Sequence, residues 1–307
     1  MVNEADEADL RRVSERVTDA IKQPVVLDGI EVEVSASIGG AIAPLHGDDS
    51  ATLMQRADVA MYDAKRSGVP YRLYVRNDDH HSVDRLTLMG ELRHLLDGGL
   101  RVWFQPKVDL RTGRAREIEA LVRWQHHRLG LMAPSQFMEL CEVSGVVGDL
   151  TFAVLDEALA TIREWPGMGV AVNVPVRTLY DRGLPHVVAE RLGAAGIEPS
   201  RLVLEITERE IMEDSPVVAE VLGALNEQGV RISIDDFGTG FSSLARLRGL
   251  PIHEIKIDRS FVGGMLDREN DYIIARSIID LAHNLGHRVV AEGVEDEHAR
   301  AAAVAGL

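Results

Sequence analysis

Three scarcities restrict the class of this protein: cysteine, long apolar runs and positive charge. Cys141 is the only cysteine, so no intrachain disulfide can form, which fits a reducing compartment. The sequence has no run of about 18 apolar residues, so no membrane span is expected. The acidic N-terminus lacks the hydrophobic core of a secretory signal. We therefore expect a cytoplasmic protein that does not insert into membranes.

The charge balance is strongly acidic. Asp and Glu number 49 against 33 Lys and Arg, and the formal net charge is −16. This balance argues against a broad surface that follows the phosphates of a nucleic acid polymer. A small anionic substrate remains compatible, because bound divalent cations invert the local potential. Gly238 and Gly240 lack the spacing of a dinucleotide-binding fingerprint.

The pattern of the chain indicates two regions. Residues 1–76 look separate from the rest, the polar stretch 77–85 is typical of a linker, and 86–307 form the second region. There, helical stretches separate strands predicted at 102–109, 117–124, 170–174, 202–207, 230–235, 254–258 and 288–294. Such alternation is typical of a parallel sheet covered by helices. The turn after the first of these strands is too short for a parallel crossover, so that strand is expected to be antiparallel.

Six of the apolar runs carry polar residues at or just before their ends. These residues are Glu119, Asn173, Glu205, Asp235 with Asp236, Lys256 and Glu292. A buried carboxylate is costly unless something compensates it, and the C-terminal ends of barrel strands meet at one mouth. Oxygen donors without Cys or His favour Mg²⁺ or Mn²⁺ over Zn²⁺. The sequence therefore predicts a metal site at the mouth of a β/α barrel.

Two members of this set suggest a chemistry. Asp235 and Asp236 are adjacent, and a break in the strand there would turn both carboxylates to one side. One of them could then bridge two cations, the arrangement used for in-line displacement at phosphorus. Lys256 beside cations should have a lowered pKa, which would suit it to hold or deprotonate a water.

Each residue also has an ordinary structural interpretation. Asp236 could cap a helix, and Asn173 could be a turn residue. The remaining ordinary alternatives are ion pairs of Lys256 with Asp258, Glu119 with Arg123 and Glu292 with Arg288, and a solvated edge for Glu205 and Glu208. We prefer one shared metal site, because six independent coincidences at strand ends of one barrel would otherwise be required.

The motifs EALVRW, NVPVRTL, LEITE, IDDFGTGFSSL, IKIDRSFV and VVAEGVE follow one another between Leu86 and the end. This highly specific set resembles the EAL family of bacterial cyclic di-GMP phosphodiesterases. The resemblance implies a TIM-like barrel with an antiparallel first strand. It also implies hydrolysis of cyclic di-GMP to linear pGpG with two Mg²⁺ or Mn²⁺ ions per active site, which lowers the level of the second messenger.

Carried over by position, the resemblance implies a role for each matching residue. The first cation would be held by Glu119, Asn173, Glu205 and Asp235, and the second by Asp235 and Asp236. Lys256 would position the attacking water, and Glu292 would complete the network of metal and water. Substrate contacts would come from Gln105, Arg123 and Glu295, and Glu208 would steady the loop that begins at Asp236.

Two parts of the chain depart from the family pattern. Residues 24–75 resemble the second half of a GGDEF domain, through VEVSASIGGAIAP and LMQRADVAMYDAKRSG, but the GGDEF signature is absent and no cyclase activity is expected. The last barrel strand is expected to be missing, which would leave an unclosed seam beside the strand at 102–109. Such a seam and the loop after Asp236 are consistent with a homodimer. They also leave an alternative, a catalytically impaired cyclic di-GMP sensor or scaffold.

Overall fold

The structure is a computed structural model, which describes residues 7–21, 25–27, 30–32, 36–66, 69–75, 83–211, 215–239, 247, 249–263 and 269–294. The chain divides into two compact units, Met1–Gly90 and Glu91–Leu307. A helix begins at Val83, inside the stretch that the sequence marks as a linker. The predicted boundaries of the two regions and of the linker stay a prediction.

The first unit combines helices with four short strands in its described part. Its elements are α1 (Glu7–Ile21), β1 (Val25–Leu27), β2 (Ile30–Val32), β3 (Ile38–Gly40), α2 (Ser50–Arg66) and β4 (Tyr71–Leu73). β1 and β2 pair antiparallel, whereas β3 and β4 pair in parallel. A Cβ at Gly39 would lie 2.0 Å from the carbonyl oxygen of Ala57, so the close approach of β3 to α2 requires glycine.

The second unit follows the helix α3 (Val83–His94), which crosses the boundary between the units. Its strands are β5 (Leu100–Val108), β6 (Ala115–His126), β7 (Gly130–Met132), β8 (Gly169–Asn173), β9 (Leu202–Thr207), β10 (Arg231–Phe237), β11 (Glu254–Ile257) and β12 (Arg288–Ala291). Its helices are α4 (Met138–Ser144), α5 (Val147–Arg163), α6 (Val176–Leu179), α7 (Leu184–Ala195), α8 (Glu208–Ile211), α9 (Pro216–Glu227), α10 (Arg259–Val262) and α11 (Glu269–Asn284).

One curled sheet organises this unit. Its order is β5-β6-β8-β9-β10-β11-β12, with β7 folded back on β6. β5 is antiparallel to β6, and every later neighbour along that path is parallel. The prediction of a TIM-like barrel with an antiparallel first strand is thus confirmed. The hairpin strand β7 lies outside the predicted strands.

Apolar runs explain why these strands are buried. The first four residues of β8 and the first five of β9 are all buried, as expected of strands covered on both sides. Helix α5 packs against β8 with a buried stripe that includes Leu155, Leu159 and Ile162. Charged side chains from distant parts of the sequence meet within this sheet, as in the contacts of Lys107 and Lys256 with Glu205.

Within the described residues, no strand pairing joins β12 to β5, so the two edges of the curled sheet are not linked. Residues 295–307 lie outside the described part, and the predicted absence of a last strand stays a prediction. None of the described helices combines the length and the apolar content needed to cross a membrane.

Candidate metal centre

Strand register brings the predicted residues together. Asn173 at the end of β8 lies opposite Glu205 of β9, and Thr207 of β9 lies opposite Asp235 of β10. The amide Nδ2 of Asn173 donates a hydrogen bond to Glu119 Oε1 at 3.1 Å. Because parallel strands end at one side of the sheet, residues up to 173 positions apart in the sequence meet at one mouth, from Glu119 to Glu292.

The carboxylates form two overlapping groups of three. Each group has one oxygen per residue within 4.8 Å of the others, and the groups are Glu119, Glu205 and Asp235, then Asp235, Asp236 and Glu292. Asp235 belongs to both. All donors are oxygens, and Asn173 can add its amide oxygen, a set that fits Mg²⁺ or Mn²⁺. The ordinary alternative of a solvated edge is wrong, because Glu205 is fully buried and Glu208 is 1% exposed.

Lys256 lies at the centre of this arrangement. Its Nζ is 3.2 Å from Glu119 Oε2, 3.1 Å from both Glu205 Oε2 and Asp235 Oδ2, and 2.7 Å from Glu292 Oε1. Burial alone would lower the pKa of Lys256, but the surrounding carboxylates outweigh burial and raise it above its ordinary value. With the protein's own charges alone, the lysine is therefore a firmly protonated cation. The lowered pKa expected beside two metal ions stays a prediction.

Burial also acts on the carboxylates. It raises the pKa of Glu205 to about 7, with Lys256 and Lys107 opposing and the other carboxylates adding to the rise. Burial likewise raises the pKa of Glu292 to about 7, opposed chiefly by Lys256. Even with Lys107 contacting Glu205 from the other side, the five carboxylates outnumber the cations among them and leave a negative site. The donor set and its charge therefore fit a pair of divalent cations.

A backbone irregularity separates the two adjacent aspartates. The register of β10 against β11 shifts between Ile234 and Phe237, and Asp236 has a φ of 55°. The left-handed region is uncommon for a residue other than glycine, although Asp tolerates it better than most. The Asp236 amide N–H donates to Asp235 Oδ1 at 2.9 Å. The break predicted in this strand is thus present, and it turns both carboxylates toward Glu292.

The start of the following loop is anchored by Glu208. Its Oε2 accepts the amide N–H of Gly238 at 2.7 Å. Gly238 has a φ of 101°, and a Cβ there would lie 2.9 Å from the ring of Phe261. The contact joins Glu208 to the start of this loop, and its role in steadying the loop stays a prediction. The later part of GTGFSSL, from residue 240 to 244, lies outside the described residues, as does Glu295.

Gln105 and Arg123, the two other residues predicted to contact substrate, lie on β5 and β6. Gln105 is exposed and lies opposite Glu119 in the β5–β6 register. The Arg123 guanidinium lies 5.3 Å from the ring centroid of Trp103, and its Nη1 donates to the Val122 carbonyl at 2.8 Å. Trp103 is 53% exposed, which the sequence did not indicate, because an aromatic in a strand is usually core.

A cavity adjoins the carboxylates. It has a volume of about 350 Å³ and is lined mainly by apolar side chains, with Asn173, Glu205 and Thr207 on one side. Leu121, Pro134 and Met138 contribute to its apolar wall. A pocket of this size with a few polar groups suits a small organic ligand. Nothing in the sequence pattern predicted this cavity, because its wall comes from separate elements.

Sequence reasoning also missed a buried charge cluster on the other side of Glu205. Lys107, Glu117 and Glu254 are all buried or nearly so, and Lys107 Nζ lies within 3.1 Å of both glutamates. These residues carried the same signal as the predicted ones, a charge within an apolar strand. They occur near the N-terminal ends of the parallel strands, where a barrel site is not expected.

A second group that could hold a metal comprises Glu91, His126 and His127. His126 Nε2 lies 2.6 Å from Glu91 Oε2, and His126 Nδ1 accepts the amide N–H groups of Arg128 and Leu129. A histidine that binds a metal usually donates a hydrogen bond from its other ring nitrogen. Here that nitrogen accepts, so the contacts fit a buried histidine at the end of β6 that fixes the following turn.

Comparisons with known proteins match the chain to two domain families. The family model of the EAL domain matches residues 89–305, and the model of the diguanylate cyclase GGDEF domain matches residues 1–69. The bifunctional diguanylate cyclase/cyclic di-GMP phosphodiesterase MucR of Pseudomonas aeruginosa is 38% identical over 97% of this chain and 44% of its own length. The cyclic di-GMP phosphodiesterase NbdA of the same organism is 36% identical over 92% of this chain and 37% of its own.

Solved structures give the same relationship. The PaMucR phosphodiesterase, solved as a c-di-GMP complex, is 38% identical with a TM-score of 0.69, over 72% of this chain and 92% of that one. The EAL domain of Mycobacterium smegmatis DcpA is 33% identical with a TM-score of 0.58, over 67% of this chain and 87% of that one. The chain spans less than half the length of the two Pseudomonas relatives. Over the region that forms the curled sheet and its carboxylate cluster, this protein belongs to the EAL domain family.

Proposed function

We propose that this protein hydrolyses cyclic di-GMP to linear pGpG at a centre of two divalent cations, Mg²⁺ or Mn²⁺. The observation that carries the proposal is the pair of oxygen-donor groups sharing Asp235 at the barrel mouth. Membership of the EAL domain family supports it, as do relatives named as cyclic di-GMP phosphodiesterases.

The donors divide between the cations. Glu119, Asn173, Glu205 and Asp235 would hold the first, and Asp235 with Asp236 the second, while Glu292 completes the network. When bound, the two ions would polarise the phosphodiester and lower the pKa of an attacking water. Asp235 fits the bridging position because it alone belongs to both groups of carboxylates.

Lys256 is the candidate for proton handling. Its Nζ already lies 2.7 Å from Glu292 Oε1, so a proton can pass between these two atoms without movement of the backbone. Nearby cations would repel the ammonium and lower its pKa toward neutrality. With its pKa lowered, Lys256 can orient the attacking water through Nζ and exchange a proton with it.

Residues on either side of the carboxylate cluster would contact the substrate. Arg123 can neutralise a phosphate, and Gln105 lies level with Glu119 on the neighbouring strand. The cavity next to Asn173 has mainly apolar walls and can take a nucleobase, whose faces are apolar. Glu208 would hold the loop after Asp236 in place through Gly238. Glu295 remains a proposed substrate contact from the sequence alone.

The test is direct. Purified protein is incubated with cyclic di-GMP and Mn²⁺, and pGpG is measured by chromatography and mass spectrometry. The expected result is conversion to pGpG that stops when a chelator removes the metal. Glu119→Ala should abolish conversion while circular dichroism shows a folded protein, because it removes a ligand rather than core packing.

Glu157→Gln serves as the matched control, since it neutralises an exposed carboxylate on α5 away from the barrel mouth. It should retain full conversion. Tight binding of cyclic di-GMP without any product would instead assign the protein as a sensor or scaffold. Full activity of the Glu119 variant would refute the assignment of the metal ligands.

A further inference from the structure

The two oxygens of Glu205 have different lysine partners. Oε1 accepts from Lys107 Nζ at 2.7 Å, and Oε2 lies 3.1 Å from Lys256 Nζ. The glutamate side chain has no exposed surface, so no solvent competes for either oxygen. Its orientation is thus set by two cations, one at each oxygen.

The reversed direction of β5 explains where Lys107 comes from. Because β5 runs antiparallel to β6, its last residues lie beside the N-terminal parts of the parallel strands. Lys107 is paired in register with Glu117, near the start of β6, and also contacts Glu254, the first residue of β11. Lys256 lies two positions beyond Glu254, nearer the barrel mouth.

Lys107 is itself held on several sides. Its Nζ lies 2.9 Å from Glu254 Oε1 and 3.1 Å from Glu117 Oε1. Glu117 is fixed in turn by Arg231 at 2.6 Å, and Glu254 Oε1 accepts from the Ser233 hydroxyl at 3.2 Å. The ammonium thus donates hydrogen bonds to Glu205 and Glu254 and forms an ion pair with Glu117, so three buried carboxylates hold it in place. It therefore forms a fixed anchor for Glu205.

We propose that Lys107 is a positioning residue that ties down Glu205 Oε1, so that Glu205 presents the single oxygen Oε2 to the metal centre. The inference rests on the metal centre of the proposed function and adds a residue to it. Glu205 is the most buried of the proposed ligands, and a carboxylate without this anchor could rotate or offer both oxygens to one cation. Partners that orient metal ligands typically change metal affinity by about 10- to 100-fold when removed.

The test compares two variants by direct titration of Mn²⁺, followed by electron paramagnetic resonance of the free ion. Lys107→Met alone would leave three buried carboxylates without their cation. The double variant K107M/E254Q keeps the net charge of the natural chain and removes the contact to Glu205. Glu254→Gln alone is the matched control, because it perturbs the same cluster and leaves Lys107 beside Glu205. Lys107→Arg keeps a buried cation next to Oε1.

We expect K107M/E254Q to bind Mn²⁺ about 10- to 100-fold more weakly than the natural chain. Glu254→Gln should remain close to the natural affinity, and Lys107→Arg should lose less than the double variant. Thermal unfolding without metal shows whether each variant is folded. If the double variant does not fold, Lys107→Arg and Glu254→Gln carry the comparison, and a loss of about tenfold or more in Glu254→Gln, which keeps Lys107 beside Glu205, would overturn the inference.

Equal Mn²⁺ affinity of the double variant and the natural chain would also overturn it, as would an equal loss in Glu254→Gln. Mn²⁺ binding by the natural chain without hydrolysis of cyclic di-GMP would refute the proposed activity alone. In that case the affinity comparison still decides the role of Lys107. Absence of Mn²⁺ binding by the natural chain would overturn both.

Discussion

The carboxylates at the barrel mouth repel one another, and this repulsion is offset only where cations lie among them. Lys256 supplies one positive charge among Glu119, Glu205, Asp235 and Glu292, with all four carboxylates within 3.2 Å of Nζ. Buried carboxylates at such spacing are unfavourable without compensation. The lysine therefore has two effects: it stabilises the carboxylate cluster and it opposes the entry of metal ions.

Lys256→Met separates these effects. We expect turnover of cyclic di-GMP to fall by about 100- to 10,000-fold, the range typical of a lost proton-transfer group. Mn²⁺ affinity should be unchanged or higher, because the competing ammonium is removed. The two quantities are measured by steady-state kinetics at saturating Mn²⁺ and by metal titration. A parallel loss of turnover and of metal affinity would assign Lys256 a structural role instead.

The raised pKa values give a pH dependence. Glu205 and Glu292 each have a pKa of about 7 with the protein's own charges, raised chiefly by burial. Below that pH their protonated forms predominate, and metal binding must release protons. Mn²⁺ affinity should therefore rise with pH up to about 7 and level off above it, with a slope of about tenfold per pH unit for each proton released.

Isothermal titration in two buffers of different ionisation enthalpy measures this proton release directly. Glu292→Gln provides the control, since it removes one of the two titrating carboxylates and should reduce the number of protons released at pH 6. Metal affinity that does not change between pH 5.5 and pH 7 would contradict the prediction.

At the scale of elements, the end of β10 combines a strand irregularity with the shared ligand. Asp236, with its positive φ, lies within the register shift between Ile234 and Phe237, where two consecutive carboxylates approach Glu292. In a regular strand, consecutive side chains point to opposite faces. Backbone outliers of this kind are often found at functional sites.

Asp236→Asn tests whether the carboxylate of Asp236, at this irregularity, binds one of the two cations. Asn tolerates the left-handed region, so the free energy of unfolding should change by less than about 0.5 kcal/mol. Loss of the carboxylate should reduce the number of bound Mn²⁺ ions from two to one. Stoichiometry is measured by titration, with unfolding in denaturant as the check on stability.

The neighbouring substitution Asp235→Asn should weaken both sites, because Asp235 belongs to both groups of carboxylates. If instead Asp236→Asn still bound two ions with unchanged affinity, Asp236 would not be a ligand.

For the whole molecule, the metal centre draws on strands from β6 to β12 and should couple metal binding to the stability of the second unit. A ligand that binds only the folded state stabilises it by about 2.7 kcal/mol at a hundredfold excess over its dissociation constant. We expect the thermal midpoint to rise as Mn²⁺ is added and to keep rising with its concentration. Differential scanning calorimetry measures this shift.

Glu119→Gln should reduce the shift caused by Mn²⁺, whereas Glu157→Gln should leave it intact. A thermal midpoint that does not respond to Mn²⁺ in the natural chain would indicate that the carboxylates do not bind this ion.

The sequence alone determined the order of elements, the antiparallel first strand and the residues at the barrel mouth. Apolar strands, short turns and charges at strand ends are local signals, and a specific set of motifs fixed the family.

Only the tertiary structure decided which oxygen of each side chain faces which partner. Lys107 and Glu254 were not predicted because they lie near the N-terminal ends of the parallel strands, where a barrel site is not expected. Trp103 lies in a strand, where an aromatic is usually core, but it is 53% exposed beside Arg123. Exposure and ion pairing depend on neighbours that lie far away in the chain, and no local pattern records them.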